Sequence, residues 1–338
     1  MRPFIYQRAE SPDAVRTAFG NPNPAAPTVA PVQFLAGGTT ILDLMKLDVM
    51  RPERLVDINP LQQSALGRIA VGAQGLRLGA LVRMSEAAEH PAIRRDYPVI
   101  AQTLELAASP QLRNMASLGG NVLQRTRCNY FRDVSYAECN KRQPGSGCAA
   151  LDGYNRRHAV LGTSQHCIAT YPGDFAQALI ALDAKVEVAG PKGRHTLPFA
   201  QLHRQPGDRP ELETTLAPGE MLTAFVISPG PWPRSLYLKV RDRDSYEFAA
   251  ASTAVALAMD GQAVREARIG LGGVATVPWR AREAETALIG KAIDETVAAS
   301  AAEAAFAGAS PASHNAFKIE LGKRTLARAL MAAARMEI

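Results

Sequence analysis

The sequence predicts an α/β unit joined to an α+β unit, and three features of its pattern carry that expectation. Residues 28–59 read as strand, glycine turn, helix and strand. Residues 84–108 switch to a helical period and lead into a second glycine element. The last third alternates short strand-like runs before an alanine-rich helical end. At 338 residues the chain exceeds one typical domain, so two or three packed units are expected.

Each element follows from local pattern. Val32-Gln33-Phe34-Leu35-Ala36 is an apolar run that stops at Gly37-Gly38, and Thr39 or Thr40 can cap a helix over Ile41–Lys46. Pro52 ends that helix, and Arg54-Leu55-Val56-Asp57-Ile58 returns as a strand. Residues 69–82 alternate Ile69, Val71, Leu76 and Leu78 around Gly72 and Gly75, the signature of a hairpin or paired strands. From Met84 the period is helical, interrupted by Pro91 and Pro98, and Ser117-Leu118-Gly119-Gly120-Asn121 follows. Periodicity then vanishes over residues 122–173, a stretch rich in Arg, Asn, Gly and Cys. A loop of that length is functional or is held by something other than a hydrophobic core. Helix at Phe175–Leu182 and strands at Lys185–Val188, Glu220–Ile227 and Leu236–Val240 resume the pattern, with Leu321, Leu326 and Leu330 marking the helical end.

Composition narrows the function classes. A 47% hydrophobic and 21% charged content supports a core without staples. The net charge of +6 fits either an Arg-rich composition or a surface for an acidic partner or anionic cofactor. Nucleic-acid binding is not expected, because no Lys/Arg stripe is interleaved with aromatics. Membrane insertion is not expected either, since no apolar run approaches roughly 18 residues. Met1–Tyr6 lacks the apolar core of a secretory signal, so cytoplasmic folding is expected, with a periplasmic destination only through co-export with a signal-bearing partner. Nucleophile-elbow, Walker and zinc-protease patterns do not occur.

The two glycine elements are the first chemical candidates. In Leu35-Ala36-Gly37-Gly38-Thr39-Thr40, paired glycines at a strand end let backbone N–H groups approach an anion such as a pyrophosphate at a helix start. A purely structural strand-to-helix turn explains the same residues. Ser117–Asn121 repeats the device, and two such elements make a dinucleotide cradle more economical than two unrelated turns. Neither is the three-glycine nicotinamide fingerprint. Lys239 opens a charge run with Arg241, Asp242, Arg243 and Asp244; a solvated face accounts for it, but a lysine after an apolar strand could also reach a buried cofactor edge.

Cys128, Cys139, Cys148 and Cys167 are the only cysteines, and all fall in the aperiodic stretch. Their spacing lacks the close pair of zinc knuckles, and disulfides suit small secreted folds instead. Four thiolates can hold a [4Fe–4S] cluster, whose negative charge Arg125, Arg127, Lys141, Arg142, Arg156, Arg157 and His158 would offset. Zinc and unligated thiols remain open on the residues alone. His158 and His166 have no triad partners and read as structural or surface residues.

Taken together, these residues resemble the FAD-binding medium subunits of the xanthine dehydrogenase and carbon monoxide dehydrogenase flavoprotein family, within the molybdenum hydroxylases. The resemblance spans nearly the whole chain. It rests on Ala36-Gly37-Gly38-Thr39 with Leu42 and Lys46, on Gly119-Gly120-Asn121, and on Gly270-Leu271-Gly272-Gly273-Val274-Ala275 followed by Pro278-Trp279-Arg280. The cysteine stretch from Gln124 to Ala150 is similar to an insertion in the periplasmic aldehyde oxidoreductases of that family, whose subunits bind a [4Fe–4S] cluster beside FAD. 4-Hydroxybenzoyl-CoA reductase carries a related insertion.

The resemblance implies a two-subdomain FAD-binding fold of the vanillyl-alcohol-oxidase (PCMH) type plus a CO dehydrogenase flavoprotein-like C-terminal domain. The units would be residues 1–60, residues 61–228 with an inserted cluster lobe at 122–173, and residues 229–338. It places the pyrophosphate at Leu35, Ala36, Gly37, Gly38, Thr39, Thr40, Ile41 and Leu42 and at Ser117, Gly119, Gly120 and Asn121. Ala107 and Ala108 would lie against the flavin, Asp174 at the adenosine ribose, and Leu222 and Lys239 near the isoalloxazine ring; Cys128, Cys139, Cys148 and Cys167 would hold the cluster. The implied role is electron transfer. A large subunit with molybdenum cofactor oxidises an aldehyde to its acid, and a small subunit with two [2Fe–2S] clusters relays electrons to this FAD in a heterotrimer. The rival expectations are a 4-hydroxybenzoyl-CoA reductase-like medium subunit, a stand-alone flavoprotein oxidase, and a zinc-stabilised interaction module.

Overall fold

In the computed structural model, which describes residues 1–19, 27–230 and 232–337, three sheets carry the chain. The first is parallel, with Arg54–Asp57 between Ile5–Arg8 and Val32–Leu35. Helix Ile41–Lys46 makes the crossover from Val32–Leu35 to Arg54–Asp57, as the pattern of residues 28–59 predicts. The edge strand Ile5–Arg8 has no sequence signal, because it is short and its pattern is mostly exposed.

The second sheet has five antiparallel strands in the order Ile69–Gly72, Gly75–Gly79, Met221–Ile227, Lys185–Gly190 and Gly193–Pro198. Its second and third strands are about 140 residues apart in sequence, so the whole of residues 80–220 is an excursion from one pairing. Three short helices, Met84–Glu89, Pro91–Asp96 and Pro98–Glu105, begin that excursion. Pro91 and Pro98 each sit at a helix start, where the missing N–H costs nothing.

The third sheet is antiparallel, in the order Trp279–Arg280, Ala263–Gly272, Ala251–Asp260, Arg234–Val240. Small residues make Ala251–Asp260 a strand buried on both faces, with eight of its ten residues inaccessible. On one side helix Phe317–Ala334 covers it and Arg282–Leu288 covers the neighbouring strand, with Glu295–Phe306 packed on both helices, through Leu288, Phe306, Leu326 and Leu330. On the other lies helix Phe175–Ala181, all seven residues of which are buried. That contact explains the glycines of the C-terminal motif. A Cβ on Gly270 would stand 2.4 Å from the carbonyl oxygen of Gln177, and one on Gly272 would stand 2.8 Å from the Gln177 amide nitrogen. Only glycine lets the helix lie this close.

Residues 122–173 contain two four-residue helical turns and otherwise irregular chain, as the lost periodicity predicts. The lobe is stitched to the third sheet by Val274, whose carbonyl accepts from Val160 N (2.8 Å) and Leu161 N (3.1 Å), and by Tyr171 N donating to Ala275 O at 3.0 Å. Among the described residues no helix is long and apolar enough to cross a membrane.

Candidate functional site

The two glycine turns meet each other. Strand Val32–Leu35 delivers Gly37 directly onto the chain preceding Ser117, where a Cβ on Gly37 would lie 2.0 Å from the carbonyl oxygen of Met115. Gly38 follows with φ of +75°, a backbone state that glycine adopts without strain. The second turn is anchored to the end of strand Gly75–Gly79. There Gly119 N donates to Ala80 O at 2.8 Å, Leu118 N donates to Val82 O at 2.9 Å, and a Cβ on Gly119 would already press on Ala80 at 3.1 Å. Ser117 Oγ accepts from Gly120 N at 3.2 Å. On Gly120 a Cβ would meet nothing but that hydroxyl, so this glycine leaves its surface clear.

Between the turns opens a cavity of about 730 Å³, within the range of organic cofactor sites. Ala36, Gly37, Gly38, Thr39, Thr40, Ile41, Ser117, Gly119, Gly120 and Leu222 line it, while the segment from His203 to Met221 forms the opposite wall. Leu35 and Leu42 are not in the lining; they pack beneath the first turn, where the Leu42 and Leu35 side chains approach the Gly38 Cβ position at 2.9 and 3.5 Å. Asn121 also lies behind the lining, and its Oδ1 is buried without a hydrogen-bond partner. A wide cavity with two glycine rims and free peptide N–H groups at the first helix start fits a large anionic ligand.

Asp174 and Lys239, expected at separate places, are brought into contact. Sequence reasoning puts the first at the adenosine ribose and the second at the isoalloxazine ring, which are opposite ends of an extended dinucleotide. The structure puts them in one buried ion pair, Lys239 Nζ to Asp174 Oδ2 at 2.8 Å, with side chains 1% and 5% exposed. Tyr237 Oη donates to Asp174 Oδ1 at 2.5 Å, and Lys239 Nζ also donates to Leu106 O at 2.9 Å. One contact pair cannot attend both ends. Its bond to Leu106 ties it to neighbouring Ala107 and Ala108, the two alanines expected against the flavin. Ala108 has a left-handed φ of +50°, and Ala107 O accepts from Arg113 Nη1 at 2.8 Å. Neither alanine, nor Asp174, nor Lys239 lines the large cavity. Burial pushes the Asp174 carboxyl above its usual range despite the opposing Lys239 charge.

The four cysteines converge in the lobe. Cys139 and Cys148 pair as an isolated bridge, Cys128 packs beside Cys139, and Cys148 and Cys167 share a side-chain hydrogen bond. Burial pushes the Cys128 thiol up to about 12 and also raises Cys139. The hydrogen bond with Cys167 lowers Cys148 and raises Cys167 in turn. His158, read from sequence as structural or surface, proves buried with Nε2 3.2 Å from Cys128 Sγ; burial lowers it to about 4. His166 is exposed. Arg142 organises the loop, donating to the carbonyls of Tyr130 (2.7 Å), Phe131 (3.0 Å) and Asp133 (3.3 Å), and also to that of Tyr136.

Several cations expected to balance the thiolates are already paired. Arg127 and Arg132 both bind Asp43 of helix Ile41–Lys46, fastening the lobe to the first glycine turn at 3.1 and 2.8 Å. Arg125 and Lys141 both bind Glu213, the latter at 3.0 Å, and Lys141 Nζ donates to Pro210 O at 3.1 Å. Glu213 belongs to the far wall of the cavity, so this network joins that wall to the cysteine lobe. Burial raises the Glu213 carboxyl, but the Arg125 and Lys141 charges overcome it and hold the group at about 2. Sequence reasoning missed Glu213, which stands in a Pro-rich stretch that reads as punctuation.

Comparisons with known proteins agree with this architecture. Residues 4–229 match the FAD binding domain in molybdopterin dehydrogenase, and residues 236–333 match the CO dehydrogenase flavoprotein C-terminal domain. The chain is 44% identical to the aldehyde oxidoreductase FAD-binding subunit of Escherichia coli K12, over 98% of each protein. It is 26% identical to the carbon monoxide dehydrogenase medium chain of Hydrogenophaga pseudoflava, over 83% of this chain and 80% of the relative. Among solved structures, the reconstituted CO dehydrogenase from Oligotropha carboxidovorans matches with a TM-score of 0.75 and 25% identity, over 99% of both chains. Both family matches and the near-full-length identity lead to one conclusion: the chain belongs to the FAD-binding subunit family of the molybdenum hydroxylases.

Proposed function

We propose that this chain is the FAD- and [4Fe–4S]-binding electron-transfer subunit of a molybdenum-containing aldehyde oxidoreductase. It would work with a large molybdenum-cofactor subunit and a small subunit holding two [2Fe–2S] clusters. One observation carries the reading: two glycine turns face a single cavity while four cysteines converge in the lobe fastened to both its walls. The 44% identity to an aldehyde oxidoreductase subunit favours that reaction within the family. The proposed units are residues 1–60, 61–228 and 229–338, with the lobe at 122–173.

In this reading Gly37, Gly38, Thr39 and Thr40 hold the pyrophosphate through backbone N–H groups and hydroxyls and Ser117 through its hydroxyl, while Gly119 and Gly120, whose N–H groups are already bonded, let it approach closely. Cys128, Cys139, Cys148 and Cys167 hold the cluster. Bound FAD supplies the exchange between one- and two-electron steps, and the protein supplies binding, orientation and exclusion of water. Among the described residues no three His, Cys, Asp or Glu side chains are placed to share a single metal ion.

Metal analysis of the anaerobically purified trimer tests this. About eight iron and eight sulfide are expected, four of each from the small subunit's clusters, with about four iron remaining after Cys148→Ser. About four iron in both proteins, with zinc in this chain, would remove the cluster from the account.

A further inference from the structure

A second cavity, of about 130 Å³, lies where the cysteine lobe, residues 242–250 and the start of helix Phe317–Ala334 meet. Cys128 of the electron-transfer reading and His158 beside it touch its edge, and the rest of its lining has no role in that reading. Its charge is unbalanced: Arg127, Arg156, Arg157 and Lys318 line it against the carboxylates of Asp242 and Glu247 alone. Arg127 is already engaged with Asp43. Arg156 and Arg157 reach their acids only at 3.9 and 3.8 Å, too far for tight charge-assisted hydrogen bonds.

Lys318 is the most exacting of these groups. It is 1% exposed, and its Nζ donates to two carbonyl oxygens, Arg157 O at 3.4 Å and His158 O at 3.1 Å. Among the described residues no carboxylate pairs with it. A buried ammonium without a counter-charge is costly, and burial with the nearby Arg156 and Arg157 charges lowers Lys318 to about 7. An anion in the cavity would relieve this cost. The remaining wall mixes neutral polar groups such as Thr126, Asn129 and Thr170 with the rings of Tyr154, Phe248 and Phe317. Phe317 lies beneath the Arg156 guanidinium at 4.4 Å, Phe248 lies beneath that of Arg127 at 5.0 Å, and both rings stay partly exposed.

We infer that this cavity is a binding site for a small organic carboxylate, its carboxyl group on Lys318 and Arg156 and its hydrocarbon part against Phe248 and Phe317. The volume equals roughly four water molecules, which suits a short-chain acid better than a nucleotide or a sugar phosphate. The aromatic wall distinguishes this from a generic anion site, since an inorganic oxyanion would leave those rings uncovered.

Isothermal titration of propionate into the holoenzyme, with inorganic phosphate as the comparison, tests the site. Saturable binding with a dissociation constant on the order of millimolar is expected, weakened roughly tenfold by Arg156→Gln and again by Lys318→Met. The Arg156 side chain is 43% exposed, so its substitution leaves the core intact and keeps the test valid if Lys318→Met misfolds. No saturable propionate binding, or equal binding in wild type and Arg156→Gln, would overturn the proposal. Phosphate binding more tightly than propionate would overturn the carboxylate assignment.

Discussion

Lys239→Met should lower the unfolding free energy by about 3–5 kcal/mol, the range for removing one partner of a buried ion pair. The wild-type pair is nearly inaccessible, so no water can replace the ammonium beside Asp174. Asp174 would keep the Tyr237 hydroxyl but lose its counter-charge, and Leu106 O would lose a donor. The pH dependence should change too. Burial already raises the Asp174 carboxyl from 3.8, and without Lys239 nothing comparable opposes it. A group whose folded pKa is raised binds more protons in the folded state, so the variant should lose stability as pH rises from about 4 toward neutrality. Adding Asp174→Leu should recover most of the loss, because a neutral apolar pair carries no stranded charge. Urea midpoints of the wild type and the two variants at pH 5 and pH 7 check this. An unchanged midpoint in Lys239→Met would show that the pair is solvated.

The second large effect is expected at Glu213, whose two cations tie the far cavity wall to the cysteine lobe. Its carboxyl is held at about 2 against an ordinary 4.5, so it contributes stability above the ordinary value and loses it as pH falls through the folded one. The wild-type midpoint should therefore fall steeply between pH 4.5 and 2, and Glu213→Gln should flatten that slope. At neutral pH the variant should be less stable by on the order of 2–3 kcal/mol, allowing for a side chain that is 23% exposed. Because the wall moves with the network, flavin should also dissociate faster from the variant. Parallel acid slopes in the two proteins would show that Glu213 is not paired in solution.

Local pattern made much of the fold legible, and long-range contact decided the rest. The strand-turn-helix of residues 32–46, the proline-started helices and the aperiodic lobe all follow from neighbours in sequence. The need for glycine at position 37 does not. It comes from the carbonyl of Met115, 78 positions away. Gly270 and Gly272 likewise show their purpose only when the helix carrying Gln177 is in place. The candidate site divides the same way. Clustering of the cysteines was visible, whereas the contact of His158 with Cys128 depends on how the lobe folds back. Asp174 and Lys239 are 65 positions apart, and two separate roles suited them until their contact was seen. Glu213 gave no signal, since a single acid in a proline-rich stretch looks like solvated surface.

The most direct test of the account is anaerobic addition of an aldehyde to the purified trimer while flavin absorbance is recorded. The account predicts prompt bleaching of the flavin in the trimer, and none when aldehyde is added to this chain alone. Bleaching in the isolated chain would make it an oxidase acting on substrate directly; a trimer that turns aldehyde into acid without bleaching would contradict electron transfer through this subunit.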